Sequence, residues 1–140
     1  MRIERFEDIV AWQKARKLVT AIYKLTRTEP FRQDYALRNQ LRSSAISIPA
    51  NIAEGFERNR TREFHQFLSI AKASCAELRT YLYIVGDIEY ATPEETERLM
   101  SAAREVTNYI GALRSSVAKN LRRPHSTQHS ALSTRKRACS

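Results

Sequence analysis

Lys14, Lys17 and Lys24 fall within about 80° of one another when the first helical segment is wound at 100° per residue, with Val19 opposite, Leu18 toward the apolar side and Arg27 beside them. Arg58, Arg60 and Arg62 crowd one short connection, and Arg38 and Arg42 sit one helical turn apart. Positive charge at spacings that track a backbone binds phosphate, and arginine adds a bidentate hydrogen-bonding fork. These residues therefore predict contact with a polyanion, either RNA or single-stranded DNA. The opposing reading is a solvated bundle exterior, which is normally charged. No exposed aromatic pattern for stacking bases is evident, since most aromatics fit core or flank positions.

Other chemistries are poorly served by this chain. It has no phosphate-cradling glycine loop, no G-x-S-x-G elbow and no H-E-x-x-H pair, so no catalytic residue and no cofactor are expected. His125 and His129 are spaced i, i+4 but lie in a Ser/Thr-rich segment without a third ligand, so no metal site is expected. His65 reads as a surface or packing histidine. Glu54, Glu57 and Glu77 lack the Glu-x-x-His pairs of carboxylate-bridged metal bundles.

The elements that must hold these residues are helical. Only three glycines and four prolines occur in 140 residues, too few for the turns of a β-rich fold. An apolar content of 42% in a chain of this length supports one domain with a real core. No apolar run nears the roughly 18 residues that span a bilayer, and the N-terminus MRIERFED is charged where a secretory leader is apolar. A cytoplasmic protein with no membrane contact is expected. Cys75, in an apolar stripe, reads as a buried free thiol, and Cys139 does not suggest a disulfide partner for it.

Four amphipathic segments follow from the spacing of apolar residues. The first, about Glu7 to Thr28, carries Ala15, Leu18, Val19 and Ile22 on one face with Trp12 and Tyr23 on its flank. The second runs from about Asp34 to Phe56. The third, about Thr61 to Ile88, repeats Phe64, Phe67, Leu68, Ala71, Cys75, Leu78, Leu82 and Val85 like heptad core positions, its start marked by Thr61 with Glu63 in the first turn. The fourth opens at Thr92-Pro93-Glu94-Glu95, a cap, a proline at the first helical position and two acids near the positive dipole end. It continues through Leu99, Ala103, Val106, Ile110, Leu113 and Val117 to about Leu121. Short connections make neighbours antiparallel, so the predicted fold is an all-α, up-down-up-down four-helix bundle over residues 1–121.

Beyond Leu121 the composition changes. Five of the 24 Lys and Arg residues, and none of the 15 acids, lie in 122–140, so this segment supplies more than half of the net charge of +9. It is expected to be a disordered basic tail, with Arg122 and Arg123 joining the polyanion contact.

The second segment holds the most distinctive local feature. Leu37, Leu41, Ile48, Ile52 and Phe56 keep helical spacing through Pro49, a residue that costs about 3 kcal/mol in a helix interior. Either one helix kinks there or two helices meet, and Ser43, Ser44 and Ser47, placed to bond freed carbonyls, favour the kink. Asn51 and Glu54 admit two readings: a functional polar site, or partners for freed backbone groups or a neighbouring subunit. Gly55 either ends the helix or permits a close helix crossing. Ala45, Ala50, Ala53, Ala71 and Ala73 would let helices approach closely, within one subunit or between subunits.

The runs FEDIVAWQKARKL (Phe6 to Leu18), DYALRNQLR (Asp34 to Arg42), AISIPANIAEGF (Ala45 to Phe56) and FHQFLSIAKASCAEL (Phe64 to Leu78) resemble the four-helix-bundle proteins encoded by intervening sequences in bacterial 23S ribosomal RNA genes. The likeness covers about 120 of the 140 positions and stops at the tail. Two departures stand out: Ser43 replaces a second basic residue common in the family, and Ala73-Ser74 replaces a frequent glycine–serine pair. The first weakens an RNA-binding role for that turn, and the second changes how closely the third helix packs. Such proteins are similar in fold to the accessory variability protein of diversity-generating retroelements, a homopentameric basic barrel that binds nucleic acid and partners a reverse transcriptase. The resemblance therefore implies a homo-oligomer, with five subunits as the first expectation, an RNA-related role, a possible reverse transcriptase partner and no established catalysis.

Overall fold

The computed structural model describes residues 2–121; Arg122, Arg123, His125, His129 and the rest of the expected tail lie outside them. Four helices form: α1 (Val10–Thr26), α2 (Tyr35–Glu57), α3 (Thr61–Asp87) and α4 (Pro93–Leu121). Among the described residues there is no strand. Each helix packs on its neighbour in sequence and α4 closes on α1, while α1 and α3, and α2 and α4, lie diagonally across the bundle with no Cα atoms within 8 Å of each other. Cross-helix bonds give the directions. Gln40 and Ser47 of α2 meet Tyr81 and Ser74 of α3, and Ser69 and Cys75 of α3 meet Arg114 and Thr107 of α4, so α3 runs antiparallel to both of its neighbours.

The core follows the predicted stripes. Ala15, Leu18, Ile22, Leu41, Ile48, Ile52, Leu68, Ala71, Cys75, Leu78, Leu82, Val106 and Ile110 are all buried. Phe31, in the connection between α1 and α2, is also fully buried and meets the Tyr90 ring edge-on at 5.1 Å. Thus the two connections at this end of the bundle plug its core together.

Helix ends depart from the sequence expectation where a local bond or a core side chain competes. The first helix starts at Val10 rather than near Glu7, because Phe6–Asp8 form a 3₁₀ turn and Ile9 is extended (φ −73°, ψ 121°), which sinks its side chain into the core. Phe6 then meets Trp12 edge-on at 5.3 Å. At the other end, Thr28 takes the Leu25 carbonyl through both its amide (3.1 Å) and its hydroxyl (2.6 Å), and α1 stops at Thr26. Asp34 caps α2 by accepting from the Leu37 amide at 3.1 Å, and Thr92 caps α4 by accepting from the Glu95 amide at 3.1 Å. In α3, Arg60 occupies the cap position without a side-chain bond, and Thr61 is the first helical residue.

Pro49 lies inside α2, which continues unbroken on both sides of it. The second helix does not end at Gly55. It ends at Glu57, and Asn59, at φ 61°, supplies the left-handed residue that asparagine tolerates after a helix. Gly55 is buried where α2 meets α3, and a Cβ there would stand 2.5 Å from the Cβ of Phe67.

Candidate nucleic-acid interface

The cations singled out in the sequence separate into two groups. On the flank formed by α1 and α4, Lys17 and Lys24 are exposed and line, with Thr20 of α1 and Arg98 of α4, a cavity of about 400 Å³. Glu95 is the one acid in that lining, and it stands 4.0 Å from Arg98. Three cations therefore face one carboxylate. Lys14 is on the same helix but is engaged differently: its ammonium lies 2.7 Å from Glu105 and 5.2 Å from the Tyr109 ring centroid. The hydrogen bond to Glu105 favours the charged amine and raises its pKa above the ordinary lysine value.

At the opposite end from the Phe31 plug, the 58–62 connection gathers the second group. Arg58 donates to Glu54 at 3.1 Å and stacks over Phe67 at 5.3 Å, so its charge is shared with the end of α2. Arg60 and Arg62 are exposed. Arg60 lines a shallow cavity of about 170 Å³ with Phe56, Phe64, Val117 and Asn120, which joins the connection to the last turn of α4. Arg122 and Arg123 follow that turn directly in sequence.

Arg38 and Arg42 are held inward. Arg42 donates through Nε to the Thr26 hydroxyl at 2.8 Å and covers the Tyr23 ring at 4.6 Å. Arg38 donates to the Arg32 carbonyl at 3.1 Å and covers Tyr35 at 4.6 Å. Arg42 thus ties α2 to the end of α1, and Arg38 ties the first connection to α2.

Around Pro49 the polar residues form a chain between helices. The Asn51 amide donates to the Ser47 carbonyl (2.7 Å) and hydroxyl (2.9 Å), and Ser47 shares a 2.8 Å hydrogen bond with Ser74. Ser74 donates in turn to the Ile70 carbonyl at 3.1 Å. Glu54 is exposed and pairs with Arg58. Ala45 and Ala71 lie in the core, whereas Ala50 and Ala73 are exposed. Among the described residues no three His, Cys, Asp or Glu side chains gather closely enough to hold a metal ion. None of the described helices is long and apolar enough to cross a membrane.

Sequence reasoning missed Arg98. It is placed beside Lys24 only because α4 runs antiparallel along α1, and the α4 sequence alone marks it as one exposed cation among several.

An all-helical antiparallel bundle with cationic flanks defines the class. Residues 7–112 match the 23S rRNA-intervening sequence protein family, and the chain belongs to it. Among solved structures, the chain is similar to a protein of unknown function from the S23 ribosomal protein family of Bacteroides thetaiotaomicron. The two share 24% identity with a TM-score of 0.69, over 75% of this chain and 98% of that one, a likeness of fold alone. None of the curated proteins compared with the chain matches it.

Proposed function

We infer that the protein is a non-enzymatic, nucleic-acid-associated bundle that works as a homo-oligomer and binds RNA or single-stranded DNA through phosphate. One observation carries this reading: Lys17, Lys24 and Arg98, from two helices, converge on one open cavity with Glu95 as the only acid in its lining. Membership of a family described by its link to 23S ribosomal RNA supports it. Lys14, Arg58, Arg60, Arg62, Arg122 and Arg123 complete the proposed contact. Lys14 and Arg58 contribute least, since each already has a carboxylate partner. Repetition of a modest patch around an oligomer gives avidity without base-reading contacts.

Assembly is supported by the outer face of α2. Between Arg38 and Glu54 its exposed residues are Asn39, Gln40, Ser43, Ile46 and Ala50, none of them charged, in a chain that is 28% charged. Ile46 and Ala50, with Ile70 and Ala73 of α3, flank the Ser47–Ser74 contact and offer a second copy an apolar, small-residue surface. Pro49, Asn51, Glu54 and Gly55 act here as structural residues that shape this face. The same observation favours the second reading, a protein-directed assembly module with incidental charge. Five subunits remain the first expectation, and a partner reverse transcriptase is the finer form of the nucleic-acid reading.

The deciding experiment measures binding of the full chain to labelled RNA across a salt series, beside light scattering. The first reading expects an oligomer whose affinity falls steeply with salt, and whose slope flattens in Lys17→Gln/Lys24→Gln. An oligomer without salt-sensitive binding selects the assembly module. A monomer at micromolar concentration refutes the assembly claim.

A further inference from the structure

We propose that the groove between α3 and α4 is a second single-strand binding track, lined by Lys72, Arg79, Arg104 and Arg114, which seats the phosphates of an RNA or DNA strand. The inference rests on the nucleic-acid reading above but assigns it a different surface.

Two edges of α3 face α4. At heptad spacing they read Arg62, Ser69, Ala76, Tyr83 and His65, Lys72, Arg79, Gly86, without an acid. The facing edges of α4 read Glu97, Arg104, Gly111, Ala118 and Met100, Thr107, Arg114, with one. Contacts fix how these edges meet. Arg114 donates through Nε to the Ser69 hydroxyl at 2.8 Å, so its guanidinium is held along the groove rather than free in solvent. Arg104 donates to Glu97 at 3.1 Å and is hydrogen-bonded to the Tyr83 hydroxyl. Arg79 lies close to Cys75, which hydrogen-bonds Thr107, and its Nε is buried without a hydrogen-bond partner. Four cations thus border the groove, Arg104 already paired with Glu97, and the acids gather at one end, where Asp87, Glu89 and Glu97 line a cavity with Tyr83.

The floor is open. A Cβ added at Gly111 would meet nothing within 4 Å, and Ala76 and Thr107 keep the same stretch low. Lys72 and Arg79 are about 10 Å apart along α3, and Arg104 and Arg114 about 15 Å apart along α4, a track of a few nucleotides. Three of the four cations are arginines, whose forks match phosphate oxygens. Tyr83, 59% exposed and held by Arg104, stands at the end of the track where an unpaired base can stack. An acidic protein segment would gain nothing from stacking on this ring, and the cavity beside it, which holds Ala91, Pro93 and Met100, also carries Asp87, Glu89 and Glu97.

The test uses the full chain and a labelled oligouridylate of about 20 nucleotides, longer than a single-strand site, with polyglutamate as a second probe. Two variants address the groove: Lys72→Gln/Arg114→Gln removes charge, and Gly111→Glu puts a carboxylate into the open floor while favouring the helix. Both are expected to weaken oligouridylate binding about tenfold, and the first to reduce the log–log salt slope by about 1.4, or 0.7 per contact. Polyglutamate is expected to bind weakly and to be indifferent to Tyr83→Ala, which lowers oligouridylate affinity. If the double variant fails to fold by circular dichroism, Gly111→Glu alone decides. Groove variants that keep wild-type affinity and slope, while Lys17→Gln/Lys24→Gln loses both, overturn the groove and leave the nucleic-acid reading standing. Wild-type protein without salt-sensitive oligouridylate binding overturns both. Equal loss of polyglutamate and oligouridylate binding in the groove variants, with no effect of Tyr83→Ala, overturns the assignment to a nucleic-acid strand.

Discussion

Replacing Gly55 by alanine tests whether the α2–α3 crossing depends on a missing methyl group. The added Cβ would stand 2.5 Å from Phe67 Cβ, 3.1 Å from Phe64 Cδ1 and 3.3 Å from Phe67 Cγ. Carbon atoms pack best at about 3.5–4.0 Å. Phe67 Cβ is attached directly to the α3 backbone, so no rotamer relieves the contact and the helices must part by about 1 Å. Overpacking of this kind costs about 1–3 kcal/mol or more, while glycine to alanine in a helix interior returns about 1 kcal/mol. Because the clashing Cβ is fixed to the backbone, the upper part of that range applies, and a net loss near 1–2 kcal/mol follows, or about 4–8 °C in Tm for a chain of this size. Gly111 supplies the internal control, because its added Cβ meets nothing within 4 Å. Gly111→Ala should raise stability by about 1 kcal/mol, so the two alanine variants should differ by about 2–3 kcal/mol. Thermal and urea unfolding by far-UV circular dichroism, at one fixed protein concentration because assembly shifts Tm, measures both. If Gly55→Ala proves as stable as the parent, the crossing is looser than its geometry and the argument fails.

Other expectations follow from single contacts. Asp34→Ala removes the α2 cap and the acceptor for the Tyr90 hydroxyl at 3.0 Å; a loss of about 1 kcal/mol or more in urea unfolding is expected. The hydrogen bond to Asp34 holds the Tyr90 pKa above its ordinary value of 10.0, so the stability it gives is full below that pH and is lost as pH rises through the raised value. Tyr90→Phe should therefore flatten the fall in stability above pH 10, and an unchanged alkaline limb would count against the bond. Burial pushes the Cys75 thiol pKa up, so site-resolved alkylation at neutral pH should leave Cys75 unmodified until the bundle unfolds. Pro49→Ala should leave helical content unchanged while altering stability or subunit number, read by circular dichroism and light scattering, and a collapse of the fold would show that the proline is required.

Fold class was legible in the sequence because apolar residues at helical spacing need a buried face wherever the chain goes. Leu41, Ile48 and Ile52, or Leu68, Cys75 and Leu82, announce their helices and their inward side without reference to any partner. The Thr92-Pro93 start and the helical spacing through Pro49 were legible for the same local reason. Tertiary structure decided what local spacing leaves open. Ile9 is drawn out of the first helix by core burial, and Phe31, in a connection without periodicity, becomes a core plug. Gly55 was ambiguous between a helix stop and a crossing until Phe67 was placed against it, and Asn59 took the stop. The lysines of the first helix could be grouped from one sequence segment, since they share a helix. Arg98 beside Lys24, and the α3–α4 groove that joins Lys72 and Arg79 to Arg104 and Arg114, could not. They depend on which helices are neighbours and in what register, and that is set by side-chain packing across the whole bundle rather than by any one segment.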